Sequence, residues 1–398
     1  MDDLGFDPLS EDFMRDPLPT LARVREATPV YRHEGTAFPV VSVLRYREVK
    51  AVYPDFRRFS SFVPEEVRRF ELADGISLIG EDPPLHKRLR GSVSKVFTAD
   101  VINRLESDVQ VVCDKLFDEA MEKGEFDMVE DLSARITVRM IARLVGVPEE
   151  DYGLIRDWTL RQSAINGMSL FLPEGDPRWE KCEQITRLAN DEMQAYFAAR
   201  VDERVAQPRD DILTLLVQSG LDRQEAISFA KLLVMAGNET TSNLINNTVL
   251  LLIDHPEQDR ILRDNPGLAP GAIEEVLRFK NPIHYSVRTA VDDVELGGVA
   301  IQKGDGVAMW VTAAHRDDRY YENPDHFDVR REPKGVLAFG HGLHVCLGSP
   351  LARLEGRVFL KTLLRRTRSV ERTSDDMPPV PTPIFNGVQH QQVRFHPV

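Results

Sequence analysis

The sequence has few cysteines and no secretory signal, and both absences narrow its class. Only Cys113, Cys182 and Cys346 occur among 398 residues. An odd, widely spaced set without a C-x-x-C pair argues against a disulfide framework and against a cysteine zinc site. The amino terminus is acidic and lacks the basic start and apolar stretch of a signal peptide. We therefore expect a protein of a reducing compartment, with the cytoplasm as its location.

Long apolar runs and an excess of positive charge are missing as well. The best apolar run, Val249 to Ile253, has five residues, whereas a membrane helix needs roughly 18. Fifty basic residues against 64 acidic residues give a formal net charge of −14. Such a surface repels phosphate backbones and anionic lipid. We therefore expect no nucleic-acid partner and no membrane partner.

The composition that remains is that of a globular protein, with 42% hydrophobic and 29% charged residues. Its length is typical of two or three domains. A chain of this size can bury a core large enough to hold a cofactor. Short β-prone runs predict a small sheet near the amino terminus, and a second strand-rich stretch follows Pro282. Helical patterns dominate from about Pro84 to Pro256. Because βαβ alternation is absent, the expected fold class is mainly α with small β-sheets (α+β).

One predicted helix is much longer than average. Asp222 with Glu225 fits a capping box, and the apolar pattern that follows runs unbroken to Asp254. Such a helix should cross the molecule and be buried on most sides. Its middle nevertheless carries polar residues, which are costly to bury unless they are hydrogen-bonded or functional. In a purely structural interpretation, Gly237 permits close helix packing and the threonines bond to carbonyls one turn earlier.

The most informative segment surrounds Cys346. Glycines on both sides permit tight turns, and Pro350 suits the first turn of a following helix. A thiol just before a helix amino terminus feels the positive end of the helix dipole, which lowers its pKa and favours the thiolate. A thiolate with no second cysteine suits a metal already held by another ligand set, such as a porphyrin iron. The alternative is a buried apolar cysteine, and that is our prediction for Cys113 and Cys182.

This segment resembles the haem-binding loop of the cytochrome P-450 family, Phe-Gly-x-Gly-x-His/Arg-x-Cys-x-Gly-x-x-Leu-Ala-Arg. The resemblance implies one domain over residues 1–398, with a β-rich portion of about residues 1–80 packed on a helical haem-binding portion. It places the long helix over a non-covalent haem b and the Cys346 loop beneath it, with Cys346 as the axial iron ligand. Nine specified positions match: Phe339, Gly340, Gly342, His344, Cys346, Gly348, Leu351, Ala352 and Arg353.

The middle of the long helix resembles the family's Ala/Gly-Gly-x-Asp/Glu-Thr signature, with Ala236, Gly237, Glu239 and Thr240 in register. The resemblance implies that the small pair makes room for dioxygen and kinks the helix. It also implies that Glu239 relays protons while the Thr240 hydroxyl stabilises the iron-bound oxygen. Proton delivery needs a titratable group within reach through a hydroxyl or a water, and this pair can supply it.

Two further sets of residues match the family. Glu275 and Arg278 match its E-x-x-R and share a helix face, and His326 falls where the family places their third partner. An isolated pair of this kind is otherwise a surface ion pair worth little. Haem propionates need cations, and the resemblance assigns that role to four residues that on their own are typical of solvated surfaces. These are His86, Arg90, Arg288 and His344.

The function implied by the resemblance is a haem-thiolate monooxygenase. It inserts one oxygen atom of O2 into a small-to-medium apolar organic substrate. The chain leaves no room for a fused redox domain, so a separate ferredoxin and its reductase are the implied electron donors. Basic segments at residues 85–97 and 353–372 are expected to meet this acidic partner; solvated helix faces are the alternative. A peroxide-driven peroxygenase and a non-catalytic haem gas sensor or carrier remain alternatives, and Glu239 with Thr240 counts against both.

The substrate is not predicted beyond its apolar character, and terpenoids, fatty acids, aromatic acids and polyketides all remain open. Five residues are expected near the substrate pocket, although each is equally compatible with ordinary core. His284 is the polar member and is suited to orienting a hydroxyl, carbonyl or carboxylate. The five are Leu232, Met235, His284, Phe385 and Ile79.

Overall fold

The computed structural model describes residues 4–62, 77–165 and 167–398. The amino-terminal part mixes short helices with short strands, in keeping with its proline-punctuated, β-prone sequence. In chain order its elements are α1 (Glu11–Arg15), α2 (Leu18–Ala27), β1 (Val30–Arg32), β2 (Val40–Val43), α3 (Tyr46–Val52) and β3 (Phe59–Ser60).

The middle of the chain is helical, as its apolar periodicity predicts. A short strand, β4 (Glu125–Asp127), and a π-helical turn at Met128–Ser133 interrupt it. The helices are α4 (Leu85–Val93), α5 (Ala99–Asn103), α6 (Glu106–Lys123), α7 (Ala134–Val145), α8 (Tyr152–Ser163), α9 (Arg178–Ala206), α10 (Ile212–Gln218), α11 (Arg223–Asp254), α12 (Pro256–Asp264) and α13 (Ala269–Phe279).

Strands return in the last third of the chain, after Pro282, as the sequence predicts. The elements are β5 (Tyr285–Ala290), β6 (Val294–Leu296), β7 (Val299–Ile301), β8 (Gly306–Trp310), α14 (Val311–Ala314), α15 (Ser349–Arg366), β9 (Thr367–Arg372) and β10 (Gln392–Pro397). A 3₁₀ turn at Gly342–His344 precedes α15.

The strands form three sheets that tie distant parts of the chain together. The largest has the order β1-β2-β8-β5-β3, so the amino-terminal strands pair with strands from residues 285–310. Its β2 and β8 run parallel, whereas its other neighbours are antiparallel. A second sheet, β4-β10-β9, joins the middle of the chain to the carboxyl end. The β6–β7 hairpin turns at Gly297 and Gly298, both at positive φ, where residues without a Cβ are favoured.

Helix α11 is the longest described helix and lies in the core. The Asp222–Glu225 capping box is present in both directions, which confirms the start predicted from sequence. Its buried residues belong to one large cluster with α6, α7, α13 and α15. The fold class, helices with small sheets, is thus the predicted one. Among the described helices, none combines the length and the apolar character that crossing a bilayer requires.

Candidate active site

The Cys346 loop is built from turns that need glycine. Gly340 and Gly342 have φ values of +72° and +79°. A Cβ on Gly342 would lie 2.9 Å from the Cα of Pro54, so a side chain there would clash with backbone. The loop closes where the N–H of Cys346 donates to the carbonyl of Phe339 at 2.9 Å. The backbone therefore sets the position of the thiol, just ahead of α15.

The Cys346 thiol has solvent-accessible surface, yet protein atoms surround it closely. Desolvation raises the pKa of the thiol, while the N–H groups of Gly348 and Ser349 and the guanidinium groups of Arg90 and Arg353 lower it. The helix-end amides thus lower the pKa, as predicted, but burial raises it by more and the net direction is upward. Burial outweighs the helix end because a charged sulfur loses its hydration. A bound metal cation is what would hold this sulfur deprotonated.

Arg353, the last residue of the cysteine motif, connects α15 to α13. Its guanidinium lies 4.4 Å from the centre of the Phe339 ring. Two of its nitrogens, Nε and Nη2, donate to the carboxylate oxygens of Glu274 at 2.6 and 3.1 Å. This bidentate pair braces both ends of the cysteine loop against the helix that carries Glu275.

Four predicted haem-edge residues come together from three separate elements. The rings of His86 on α4 and His344 lie 4.1 Å apart. Burial and the charges of Arg288 on β5, His86 and Arg90 on α4 lower the pKa of His344 to about 3. Burial and Arg90 likewise lower the pKa of His86. Both imidazoles are therefore neutral at pH 7, and His344 bonds through Nε2 to the Ser61 hydroxyl at 2.9 Å.

These residues fit a haem. In the described part of the chain, the buried Nε2 of His86 has no hydrogen-bond partner. Arg288 is buried and bonds to the carbonyl of Val287, and no described carboxylate pairs with it. A buried guanidinium without a carboxylate partner and a buried imidazole nitrogen without a hydrogen-bond partner are suited to binding an anion. The propionates of a porphyrin meet that need, and Cys346 supplies the thiolate for its iron.

Helix α11 presents a stripe of accessible side chains although it lies in the core. Leu232, Met235 and Thr240 are half-buried and Ala236 is exposed. Their spacing of three and four residues puts them on one face of the helix. The stripe includes both Leu232 and Met235, which the sequence placed near the substrate, and Ala236 and Thr240, which it placed near dioxygen.

Gly237 does not belong to this stripe. A Cβ on Gly237 would lie 3.1 Å from the Cδ1 and Cγ1 atoms of Ile141 on α7, so the glycine lets α7 pack closely. This contact supports the structural interpretation of Gly237, and its role in making room for dioxygen stays a prediction. The helix runs unbroken through this point, and the Thr240 hydroxyl donates to the carbonyl of Ala236 at 2.8 Å.

Glu239 is buried beside Thr240 and has a partner that the sequence did not predict. Arg156 on α8 donates from Nη1 to its Oε2 at 3.3 Å, and the other side of Arg156 pairs with Glu130. The Glu130 side chain is 41% exposed. Burial raises the pKa of Glu239, and Arg156 opposes that rise. Glu239 is thus linked through one arginine to a carboxylate at the surface.

The E-x-x-R pair is fully buried. Arg278 donates from Nε and Nη2 to Glu275 at 2.7 and 2.8 Å. The third charged partner is Arg331, whose Nε lies 3.2 Å from Oε1 of Glu275. The prediction of His326 needs correction, because its side chain is exposed and only its carbonyl accepts from Arg278. A permanently charged guanidinium is a better ion-pair partner for the Glu275 carboxylate than an exposed imidazole.

The remaining predicted substrate neighbours divide into two groups. His284 and Phe385 lie close together, since Phe385 forms a β-bridge with Ile283. His284 is buried and bonds through Nδ1 to the Thr312 hydroxyl at 3.0 Å. Burial lowers its pKa to about 3, so it carries no charge with which to attract a carboxylate. Ile79 is 58% exposed on a surface turn, away from its predicted burial in a pocket.

The two predicted basic segments carry less free charge than their sequences indicate. Arg88 on α4 forms an ion pair with Glu225. Lys87 is exposed beside the Cys346 loop, where Leu343 is also exposed. Of the seven basic residues in 353–372, five pair with acids of other elements: Arg353 with Glu274, Arg357 with Glu106, Arg365 with Asp114, Arg366 with Asp118 and Arg372 with Asp254.

Comparison with known proteins agrees with this geometry. The family model described as Cytochrome P450 matches residues 20–265 and 267–394. The cytochrome P450 monooxygenase PikC of Streptomyces venezuelae is 35% identical over 412 residues, covering 99% of this chain and 94% of that protein. The vitamin D(3) 25-hydroxylase of Pseudonocardia autotrophica is 33% identical, covering 90% and 88%. The crystal structure of CYP109E1 from Bacillus megaterium in complex with testosterone superposes with a TM-score of 0.90 at 32% identity, covering 97% and 99%.

Proposed function

This chain belongs to the cytochrome P450 family of haem b monooxygenases, and we propose that a separate ferredoxin and its reductase supply its electrons. Its substrate is a small-to-medium, largely apolar organic molecule. Two relatives support this range, since one is a vitamin D(3) 25-hydroxylase and the crystal structure of another is a complex with testosterone. Bound haem supplies the oxidation itself, while the protein supplies binding, orientation and protons.

One observation carries the proposal: the Cys346 thiol, the neutral His86–His344 pair and the two arginines Arg90 and Arg288 converge from distant parts of the chain. Cys346 is the proposed iron ligand. Arg90, Arg288 and the unpartnered Nε2 of His86 would hold the propionates, with His344 packed against the His86 ring. The proposal also treats residues 1–398 as one unit, because the five-stranded sheet joins the amino-terminal strands to residues 285–310.

Glu239 is the proposed source of protons, and the Thr240 hydroxyl is the proposed acceptor that directs them. The Thr240 hydroxyl proton lies against the carbonyl of Ala236, which leaves the oxygen lone pairs free to accept on the accessible face of α11. Glu239 keeps its proton to higher pH than an exposed carboxyl because burial raises its pKa. Arg156 is shared between Glu239 and the exposed Glu130 and lowers the pKa of Glu239, so Glu239 can still release its proton despite its burial.

The test is Thr240→Ala in the haem-loaded enzyme, with reduced ferredoxin as electron donor. Product formed per electron consumed should fall by about tenfold while oxygen uptake continues, because protons then arrive without control. Thr241→Ala, the same change on the buried side of α11, is the matched control and should stay coupled. If the product yield of Thr240→Ala matched that of the unchanged enzyme, the assignment of the hydroxyl would be wrong. Activity with peroxide alone would favour the peroxygenase instead.

The proposed ferredoxin surface is the rim of the Cys346 loop. It consists of exposed Leu343 and exposed Lys87, each of which is next in sequence to one member of the His344–His86 ring contact. An acidic partner would be steered to Lys87 and seated on Leu343. Lys87→Glu should slow reduction by ferredoxin, most strongly at low salt. Lys303→Glu, on the turn between β7 and β8, is the charge-matched control and should leave the rate unchanged.

A further inference from the structure

Helices α8 and α9 bury three polar side chains that no other described residue satisfies. Gln162, Thr186 and Asn190 are 3%, 1% and 3% exposed. The Gln162 Nε2, the Thr186 Oγ1 and the Asn190 Oδ1 atoms are buried without a hydrogen-bond partner in the described residues. A buried polar group left unpaired destabilises the fold, so three together require an explanation. We call these residues the polar trio.

The register of α8 against α9 places the polar trio in one spot. The helices run antiparallel, because Asp151 at the start of α8 accepts from Arg200 and Trp158 donates to Glu192 at 2.8 Å. Gln162 lies about one turn beyond Trp158. On α9, Asn190 lies less than one turn before Glu192, and Thr186 lies one turn further back. The three residues therefore lie at the same level of the helix pair.

Both helices that carry the polar trio pack on α11, the helix of the accessible stripe. Helix α8 meets α11 at the Arg156–Glu239 contact, and α9 meets it at the Gln194–Gln224 hydrogen bonds. The α11 segment between these two crossings carries Leu232 and Met235. It also carries Ser228, one turn before Leu232, whose buried Oγ likewise has no partner in the described chain. Polar groups from three helices thus border the region in which the substrate is expected.

The charges around the polar trio are already compensated. Arg161, next to Gln162, pairs with both Asp157 and Glu192. His284, the other polar candidate for substrate recognition, is neutral. Among the described residues next to the trio, a substrate carboxylate or ammonium would therefore find no unpaired opposite charge, whereas an amide pair and a hydroxyl offer both donors and acceptors.

We propose that the polar trio is a recognition site for a neutral oxygen function of the substrate, a carbonyl or hydroxyl distant from the oxidised carbon. This inference rests on the proposed function and narrows it. The substrate is an oxygenated neutral molecule such as a ketone, ester or lactone, and neither a pure hydrocarbon nor a carboxylic acid. Without substrate, the trio is left unpaired at a cost in stability, which is typical of binding sites.

The test compares two rings that differ by one carbonyl, cyclopentadecanone and cyclopentadecane. Binding to the haem-loaded enzyme is followed by the low-spin to high-spin shift of the haem. The ketone should bind at least about tenfold more tightly than the cycloalkane, because the trio gains a partner. Gln162→Leu and Asn190→Leu should abolish this preference by weakening ketone binding while cycloalkane binding holds or improves. Thr159→Val is the matched control, since the Thr159 hydroxyl is buried on the same helix but satisfied by the Ile155 carbonyl at 2.7 Å.

A second measurement separates substrate recognition from a structural role. If the trio is unpaired in the free enzyme, both leucine variants should raise Tm, by about 2 °C or more. If ordered water satisfies the trio, both variants should lower Tm, and the proposal is overturned. It is also overturned if the unchanged enzyme shows no ketone preference or if the variants keep it. The carbon-monoxide spectrum and ferredoxin-driven turnover of the same samples report separately on the proposed function.

Discussion

The molecule contains two buried glutamate–arginine pairs that differ in how completely they are satisfied. Glu275 on α13 receives two bonds from Arg278 and a further contact from Arg331. Glu239 on α11 has a single bond of 3.3 Å from Arg156. Arg156 shares its charge with the exposed Glu130, and its buried Nε has no partner among the described residues.

This difference distinguishes a structural pair from a functional pair. Glu275 is fully buried and is held by several donors from two arginines, which is the arrangement of a structural ion pair. Glu239 has one partner, a raised pKa and a connection to the surface, which are the properties of a group that gains and loses a proton during turnover. The comparison predicts that changes at Glu275 act on stability, and changes at Glu239 act on catalysis.

The largest effect is expected at Glu275. Glu275→Gln leaves Arg278 buried with a weaker partner, so the free energy of unfolding should fall by about 3–5 kcal/mol, measured by denaturant titration of the haem-loaded protein. Glu274→Gln is the control one residue earlier, where a partly exposed pair with Arg353 should cost about 0–1 kcal/mol. Equal losses of unfolding free energy in Glu275→Gln and Glu274→Gln would contradict the structural role of the Glu275–Arg278 pair.

Glu239→Gln should have the next largest effect, and on rate alone. The amide cannot relay a proton, so ferredoxin-driven product formation should fall by about 100-fold. Tm should stay near that of the unchanged enzyme, because Glu239 makes only one bond to lose. A large loss of Tm with turnover intact would show that Glu239 is as structural as Glu275.

Arg156 provides a finer test through pH. Arg156 lowers the pKa of Glu239, whereas burial raises it. In Arg156→Met the opposing charge is gone, so the pKa of Glu239 should rise further and its limb of the pH–rate profile should move to higher pH. Arg161→Met, on the same helix but paired with Glu192, is the control. A limb that did not move, or that moved to lower pH, would contradict the link between Arg156 and Glu239.

The smallest effect is expected at Glu355 on α15, a third buried carboxyl. Burial raises its pKa well above the ordinary value of 4.5. The folded state therefore binds its proton more tightly than the unfolded state, so this group makes the fold more stable as pH falls through its folded pKa towards 4.5. The slope is at most about 1.4 kcal/mol per pH unit. Glu355→Gln should flatten the dependence of Tm on pH in that window. Glu106→Gln, at an exposed pair with Arg357, is the control and should leave the slope unchanged. An unchanged slope in Glu355→Gln would contradict the raised pKa of Glu355.

Sequence predicts best the features that depend on residues close together in the chain. The Asp222–Glu225 capping box and the turns around Cys346 follow from local spacing, and the structure contains both. The face that a helix residue presents is set by the helices packed on it, so sequence does not show that Gly237 faces Ile141. Partners far apart in sequence are equally hidden, because 83 residues separate Arg156 from Glu239.

The same limit explains why sequence predicts His326, and not Arg331, as the third partner of the pair. It also explains why sequence does not predict the polar trio. His326 and Arg331 lie in the same loop between α14 and α15. Only the folded structure shows that the His326 side chain is exposed while Arg331 reaches Glu275. Gln162, Thr186 and Asn190 follow ordinary helical spacing in the sequence. Their common feature, burial without partners, exists only in three dimensions.

The central claim is that Cys346 binds haem iron as a thiolate. The most direct measurement is the carbon-monoxide difference spectrum of the reduced protein, taken for the unchanged chain, Cys346→His, and the two controls Cys113→Ser and Cys182→Ser. We predict a band at about 450 nm for the unchanged chain and both controls, and its loss to a shorter wavelength in Cys346→His. A Cys346→His variant that kept the band, or an unchanged chain that lacked it, would contradict the account.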